Sequence, residues 1–175
     1  MSQTLTLTLA IATSLRSEKP LNAAALHRLR REFSKHLRDW DGQRVIALAH
    51  ELSEDRGVPR SRMIACGLVG NHAAALCALT PADLERLAGE LECWGDVDLF
   101  ACLVAGIAWR DGGIQTKTIH KWAKSRDRWW RRAALASTVP LNVRSRRGRG
   151  DPERTLKVCH LLVKDRDDAI MKALS

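Results

Sequence analysis

The chain has no tyrosine and only two phenylalanines, so its aromatic mass rests on six tryptophans. Its five cysteines (Cys66, Cys77, Cys93, Cys102 and Cys159) include no Cys-x-x-Cys pair and come with no secretory context. That argues against a zinc site and against a disulfide framework, and leaves reduced, mostly buried thiols in a cytoplasmic protein as the expectation. The histidines (His27, His36, His50, His72, His120 and His160) show no metalloprotease spacing, and there is neither a Gly-rich phosphate loop nor a nucleophile elbow. No metal and no cofactor is therefore expected. The largely apolar run over 4–12 is too short to span a bilayer and has no basic residue before it. It is read as part of an N-terminal tail over 1–18, frayed or disordered, and no membrane partner is expected.

What is present is globular: 45% hydrophobic and 28% charged residues over 175 positions suffice for one domain with a real core, assigned to 19–175. The net charge is +9, and its location says more than its size. Residues 121–150 hold ten Lys or Arg against one acid, Asp127, while the remainder balances at 19 bases and 19 acids. A local positive surface of that kind suits a polyanion, of which nucleic acid is the commonest; a merely solvated basic face is the plainer reading.

Apolar positions recurring at three and four predict helices throughout. Ala25, Leu26, Leu29, Phe33, Leu37 and Trp40 mark one over about 21–40, broken at Asp41-Gly42, and a second begins near Val45 and ends near Arg56-Gly57. A third runs over about 59–79 with an interruption at Gly70-Asn71. Thr80-Pro81-Ala82-Asp83 is a clear start signal, with Thr as N-cap and Pro at the first helical position. A strongly apolar helix over 96–110, another over 114–124, and one opened by Asp127 and ended by Pro140 follow. After an Arg- and Gly-rich loop over 142–150, Asp151-Pro152 restarts a helix whose buried face is read as Leu156, Cys159, Leu162 and Val163. A last segment covers 169–175. Only the alternating Thr and Leu at the N-terminus suggest a strand, so the fold is read as all-α.

Pairing these helices at their breaks gives antiparallel hairpins whose second members begin near 95, 127 and 167, at intervals of about 32 and 40 residues. That is the range of HEAT-like and armadillo-like repeats stacked into a curved solenoid. The uncapped Met171-Lys172-Ala173-Leu174-Ser175 is read as the cut end of a longer array, truncated at the C-terminus.

Within the segment Cys93-Trp94-Gly95-Asp96-Val97-Asp98-Leu99-Phe100, Trp94 and Asp98 fall on one helical face, one turn apart. Together with Asp127-Arg128-Trp129-Trp130-Arg131-Arg132-Ala133-Ala134 and Asp165-Arg166-Asp167-Asp168-Ala169-Ile170-Met171-Lys172-Ala173-Leu174-Ser175, it resembles the DNA alkylation repair glycosylases of the AlkD type, from about residue 40 onward and most strongly after Thr80. The resemblance implies a monomer of HEAT-like repeats, cytoplasmic and nucleoid-associated, that acts on double-stranded DNA containing alkylated purines. Its implied reaction is hydrolysis of the N-glycosidic bond of cationic N-alkylated purines such as 3-methyladenine and 7-methylguanine, without drawing the base into a pocket. Trp94 and Asp98 match the family's catalytic Trp and Asp, and Arg132 matches the Arg that helps hold the lesion's backbone. A further family Trp would follow directly after Ser175.

The residue types fit that chemistry. An alkylated purine already carries positive charge, so the difficulty is the oxocarbenium-like sugar it leaves. An ionised Asp98 would stabilise that cation and orient water, Trp94 would lend an electron-rich face, and Arg132 would fix a phosphate bidentately. Lys121, Lys124, Arg128, Arg131, Arg144, Arg146, Arg147 and Arg149 would contact the DNA backbone, with steep salt dependence. The plainer alternatives stand beside these: Trp122 and Trp129 as core residues, Asp98 as an acid favoured by a helix N-terminus, and the whole chain as a non-catalytic HEAT-like scaffold recognising unusual DNA structure, or a protein-binding solenoid.

Overall fold

The computed structural model describes residues 3–175, and among them every regular element is helical. The helices are α1 (Gln3–Ser17), α2 (Ala23–His36), α3 (Gly42–Glu54), α4 (Ser61–Gly70), α5 (Ala73–Ala78), α6 (Pro81–Ala88), α7 (Trp94–Phe100), α8 (Gly106–Arg110), α9 (Thr116–Ala123), α10 (Arg128–Ala136), α11 (Val139–Asn142), α12 (Pro152–Leu162) and α13 (Asp168–Leu174). A π-helical turn, Ala101–Ala105, joins α7 to α8. None of these helices is long and apolar enough to cross a membrane.

The chain divides into two compact units, one ending at Gly89 and the other running from Glu90 to Ser175. In the first, α3 is the central element, packed against α1, α4, α5 and α6. Its Val45, Ile46, Leu48, Ala49 and Leu52 are buried with helical periodicity. Gly42 opens it because a Cβ there would run into the Ala74 carbonyl. The stretch expected to fray as a tail is helical from Gln3: the Thr and Leu residues that alternate like a strand lead into Ile11, Ala12 and Leu15, which are buried, and α1 packs on α3. Burial against a neighbour, which periodicity does not report, overrides the weak strand signal. Residues 1 and 2 of that tail lie outside the described residues.

Caps set the helix starts. Thr80 and Asp83 form a reciprocal capping box, with Pro81 behind the cap. Asp127 accepts from Trp129 N at 2.8 Å and Asp151 from Arg154 N at 2.9 Å. The third predicted helix is indeed interrupted, with His72 capping α5 through its ring nitrogen (Ala75 N to His72 Nδ1, 3.1 Å).

In the second unit α10 packs between α7 and α13, and also against α9 and α12. Polar links at a spacing of 34 residues set that register: Arg132 on Asp98, Cys102 on Ala136, and Arg131 on Asp165. The spacing falls in the range of two-helix repeats. Gly106 permits close approach to the end of α10 and to α11, since a Cβ there would lie 2.5 Å from the Ser137 carbonyl oxygen and 2.9 Å from the Pro140 ring. One sequence expectation fails here: on α12 the buried residues are Val158 and Leu162, while Leu156 and Val163 are exposed and Cys159 is half-buried. The helix is rotated toward the Val158 side, where Arg154, its guanidinium 5.1 Å over the Trp109 ring, also donates to the Trp109 carbonyl.

Candidate functional site

The π-helical turn begins just past α7, the helix that carries Trp94 and Asp98. Such turns recur at functional sites because they add a residue and leave the ladder irregular. Here the Cys102 carbonyl accepts from Arg146 Nη1 at 3.0 Å. Burial pushes the Cys102 thiol up from its ordinary value, so it stays protonated and donates to the Ala136 carbonyl.

Asp98 and Arg132, 34 residues apart, meet as a two-pronged ion pair. Arg132 Nε donates to Asp98 Oδ1 at 2.8 Å and Nη2 to Oδ2 at 2.7 Å. A third donor, Nη1, reaches the Ala169 carbonyl on α13 at 2.6 Å. The Arg132 side chain is 11% exposed and that of Asp98 33%, so the arginine is the buried member and the carboxylate keeps access to solvent. Arg132 was expected to anchor a phosphate; its primary partner is the carboxylate, with two N–H groups left over.

In front of Arg132 lies a cleft of about 440 Å³ lined by Trp94, Arg128, Trp129, Arg132, Asp168, Ala169 and Lys172. Trp94 is 66% exposed and stands at the first position of α7, with no packing reason to be an indole. Asp98 does not line the cleft itself; it reaches it through Arg132. Trp129 is only half-buried and forms a cleft wall, its ring 4.7 Å beneath the Arg128 guanidinium, so the core reading fails for it. Core is correct for Trp122, which packs against Trp130 at 4.9 Å and Phe100 at 6.0 Å between ring centroids. Trp130, one 100° helical step past Trp129, lays its ring on Phe100 and Trp122, whereas Trp129 faces the cleft.

The predicted backbone-binding residues separate into groups. Lys121 and Lys124 are exposed at the end of α9, and Arg128 opens α10 with Asp167 at 4.0 Å. Arg131 is committed internally: it donates to Asp165 at 2.6 Å and to the carbonyls of Ser125 and Arg126. Burial opposes ionisation of Asp165, but the Asp167 backbone N–H and Arg131 outweigh it and hold the carboxyl below its usual range. Arg144, Arg147 and Arg149 are exposed on the 142–150 loop, and Arg146 is half-buried by its bond to Cys102. Arg147 and Arg149 line a second cavity of about 510 Å³ with Arg110, Asp111, Asp151 and Arg154.

Asp168 and Lys172 are cleft residues that sequence reasoning missed. Their signal was a spacing of four on a short helix, which places both on one face. Among the described residues no group of three or more His, Cys, Asp or Glu is gathered as a metal would require.

Residues 20–175 match the family described as DNA alkylation repair enzyme. The match extends upstream of residue 40, from which the quoted resemblance runs. No curated protein and no solved structure gives a match.

Proposed function

The chain belongs to the DNA alkylation repair enzyme family, and we propose that within it the protein is a glycosylase that hydrolyses the N-glycosidic bond of cationic N-alkylated purines, 3-methyladenine and 7-methylguanine, in duplex DNA. The observation that carries this reading is the Asp98–Arg132 pair behind a cleft walled by two exposed or half-exposed indoles.

The chemistry needs little acid catalysis. The C1′–N bond breaks with its electron pair going to the purine nitrogen, which neutralises the base's positive charge. Positive charge then develops on the sugar, and a carboxylate held in place stabilises it without reorganising. Arg132 fixes both Asp98 oxygens, and each retains a lone pair for the sugar or for a water. That water adds to C1′ and gives up a proton, leaving an abasic sugar and a neutral base. Trp94 and Trp129 present electron-rich faces to the same positive groups. Arg128 and Lys172, wrong in sign for a cationic base, suit the flanking phosphates.

The experiment is release of 7-methylguanine from methylated duplex by this chain and by Asp98→Asn. A rate drop of about 10²-fold or more is expected, the scale of losing one electrostatic stabiliser of a transition state. Equal release by both proteins removes Asp98 from the mechanism. A second reading, a non-catalytic scaffold for unusual DNA structure, draws on the fact that both Asp98 oxygens already have partners. No base release by either protein, with branched DNA bound more tightly than alkylated duplex, selects it.

A further inference from the structure

The first unit carries a basic surface outside the 121–150 block. A cleft of about 480 Å³ is lined by Arg31, Ser34, Lys35, Arg38, Trp40, Asn71, His72, Ala73 and Ala74. Its three cations are exposed, and none of them makes an ion pair or side-chain hydrogen bond among the described residues. The acids nearest in sequence are Glu32 and Asp39; the charge of Glu32 acts on Arg28, itself bonded to Glu18 at 2.6 Å. Arg31 and Lys35 are one turn apart on α2, and Arg38 follows in the turn that leaves it. Like charges at that spacing repel and weaken a helix. The helix dipole accounts for Lys35 in the last turn, but not for Arg31, more than a turn further in.

The cleft floor is fixed. His72 bridges the elements, its Nδ1 accepting from Ala75 N and its Nε2 donating to the Leu37 carbonyl at 3.1 Å. Both ring nitrogens are therefore engaged, and the ring is a wall rather than a donor. Asn71 Nδ2 donates to Ser34 Oγ at 3.3 Å, and the Ser34 hydroxyl keeps its own proton as a donor. Trp40 sits at the rim, covered on one face by Arg44 at 3.8 Å.

We propose that Arg31, Lys35 and Arg38, with the Ser34 hydroxyl, form a phosphate-backbone contact site for duplex DNA on the first unit. Three cations spread over roughly 10 Å of helix, from the 1.5 Å rise per residue, cover about three phosphates at the 3.4 Å axial spacing of one strand. The site reads no base: it offers charge and one hydroxyl, which position a duplex and do not discriminate sequence. Partner identity rests on the DNA-binding reading above; the location and charge arrangement do not.

The test is the triple variant Arg31→Gln, Lys35→Gln, Arg38→Gln in the full chain, with affinity for undamaged duplex measured at several salt concentrations. Loss of three phosphate contacts is expected to reduce the slope of log K against log salt by about 2–3, at roughly 0.9 per contact. The double variant Arg31→Lys, Arg38→Lys is expected to keep the parent slope, which separates lost charge from a disturbed fold. An unchanged slope overturns the proposal, as does a parent chain that binds no duplex. A parent that binds duplex but releases no base overturns the glycosylase reading and leaves this one standing, provided the triple variant loses slope.

Discussion

A guanidinium has five N–H groups, and Arg132 engages three of them, two on Asp98 and one on the Ala169 carbonyl. The arrangement makes Arg132 a positioning residue, acting on the reaction through the carboxylate it holds. An ammonium at the same place keeps the charge but cannot supply the parallel pair of bonds. Arg132→Lys is therefore expected to lose about 1.5–3 kcal/mol of stability, the range for hydrogen bonds to charged groups, and to fall toward the low end because Asp98 is a third exposed. Release of 7-methylguanine at saturating DNA is expected to fall with it, while affinity for undamaged duplex changes little. A residue that only anchored phosphate gives the reverse: weaker binding with the saturated rate intact. Denaturant melts and single-turnover assays separate the two.

At the scale of the element, caps carry measurable electrostatics. Asp151 opens α12, and its carboxyl is held below the usual carboxylate range, chiefly by the Arg154 backbone N–H and then by the Arg154 side chain. A carboxyl whose value is lower in the folded chain binds fewer protons there than in the unfolded chain. Its stabilisation is complete above the unfolded value of about 3.9 and is lost as pH falls through the lowered folded value. Asn caps a helix nearly as well and does not titrate. The melting temperature of the parent is expected to track that of Asp151→Asn above about pH 5 and to fall more steeply as pH drops below about 4, through the lowered folded value; parallel curves there count against it. These starts were legible because Thr80, Asp127 and Asp151 state them locally, each beside a proline or an apolar run. The Asp98–Arg132 pair was not legible from the residues alone, because nothing local links positions 34 apart until α7 and α10 are stacked. The outward turn of Trp129 and the exposure of Leu156 and Val163 failed for a related reason: periodicity names a face, and only the neighbouring helix decides which face is covered.

Across the whole molecule, the +9 charge is not uniformly available to a partner. Of the ten bases over 121–150, Arg131 and Arg132 are tied to Asp165 and Asp98 with their side chains largely buried, whereas Lys124, Arg144, Arg147 and Arg149 face solvent. Sequence counted all of them alike, since charge density carries no record of pairing. The two kinds of arginine should respond oppositely to neutralisation. Arg131→Gln leaves Asp165 without its partner and unties the carbonyls of Ser125 and Arg126. It is expected to lower the melting temperature by several degrees while leaving the salt dependence of DNA binding unchanged. Arg149→Gln removes a solvated charge with no internal bond among the described residues. It is expected to leave melting unchanged and to reduce the slope of log K against log salt by about 0.9, one phosphate contact. Paired measurements of melting and salt slope on the two variants decide the matter. If Arg131→Gln flattens the slope without loss of stability, the Asp165 pair gives way to DNA when the duplex binds, and Arg131 returns to the contact surface from which its internal bonds now exclude it.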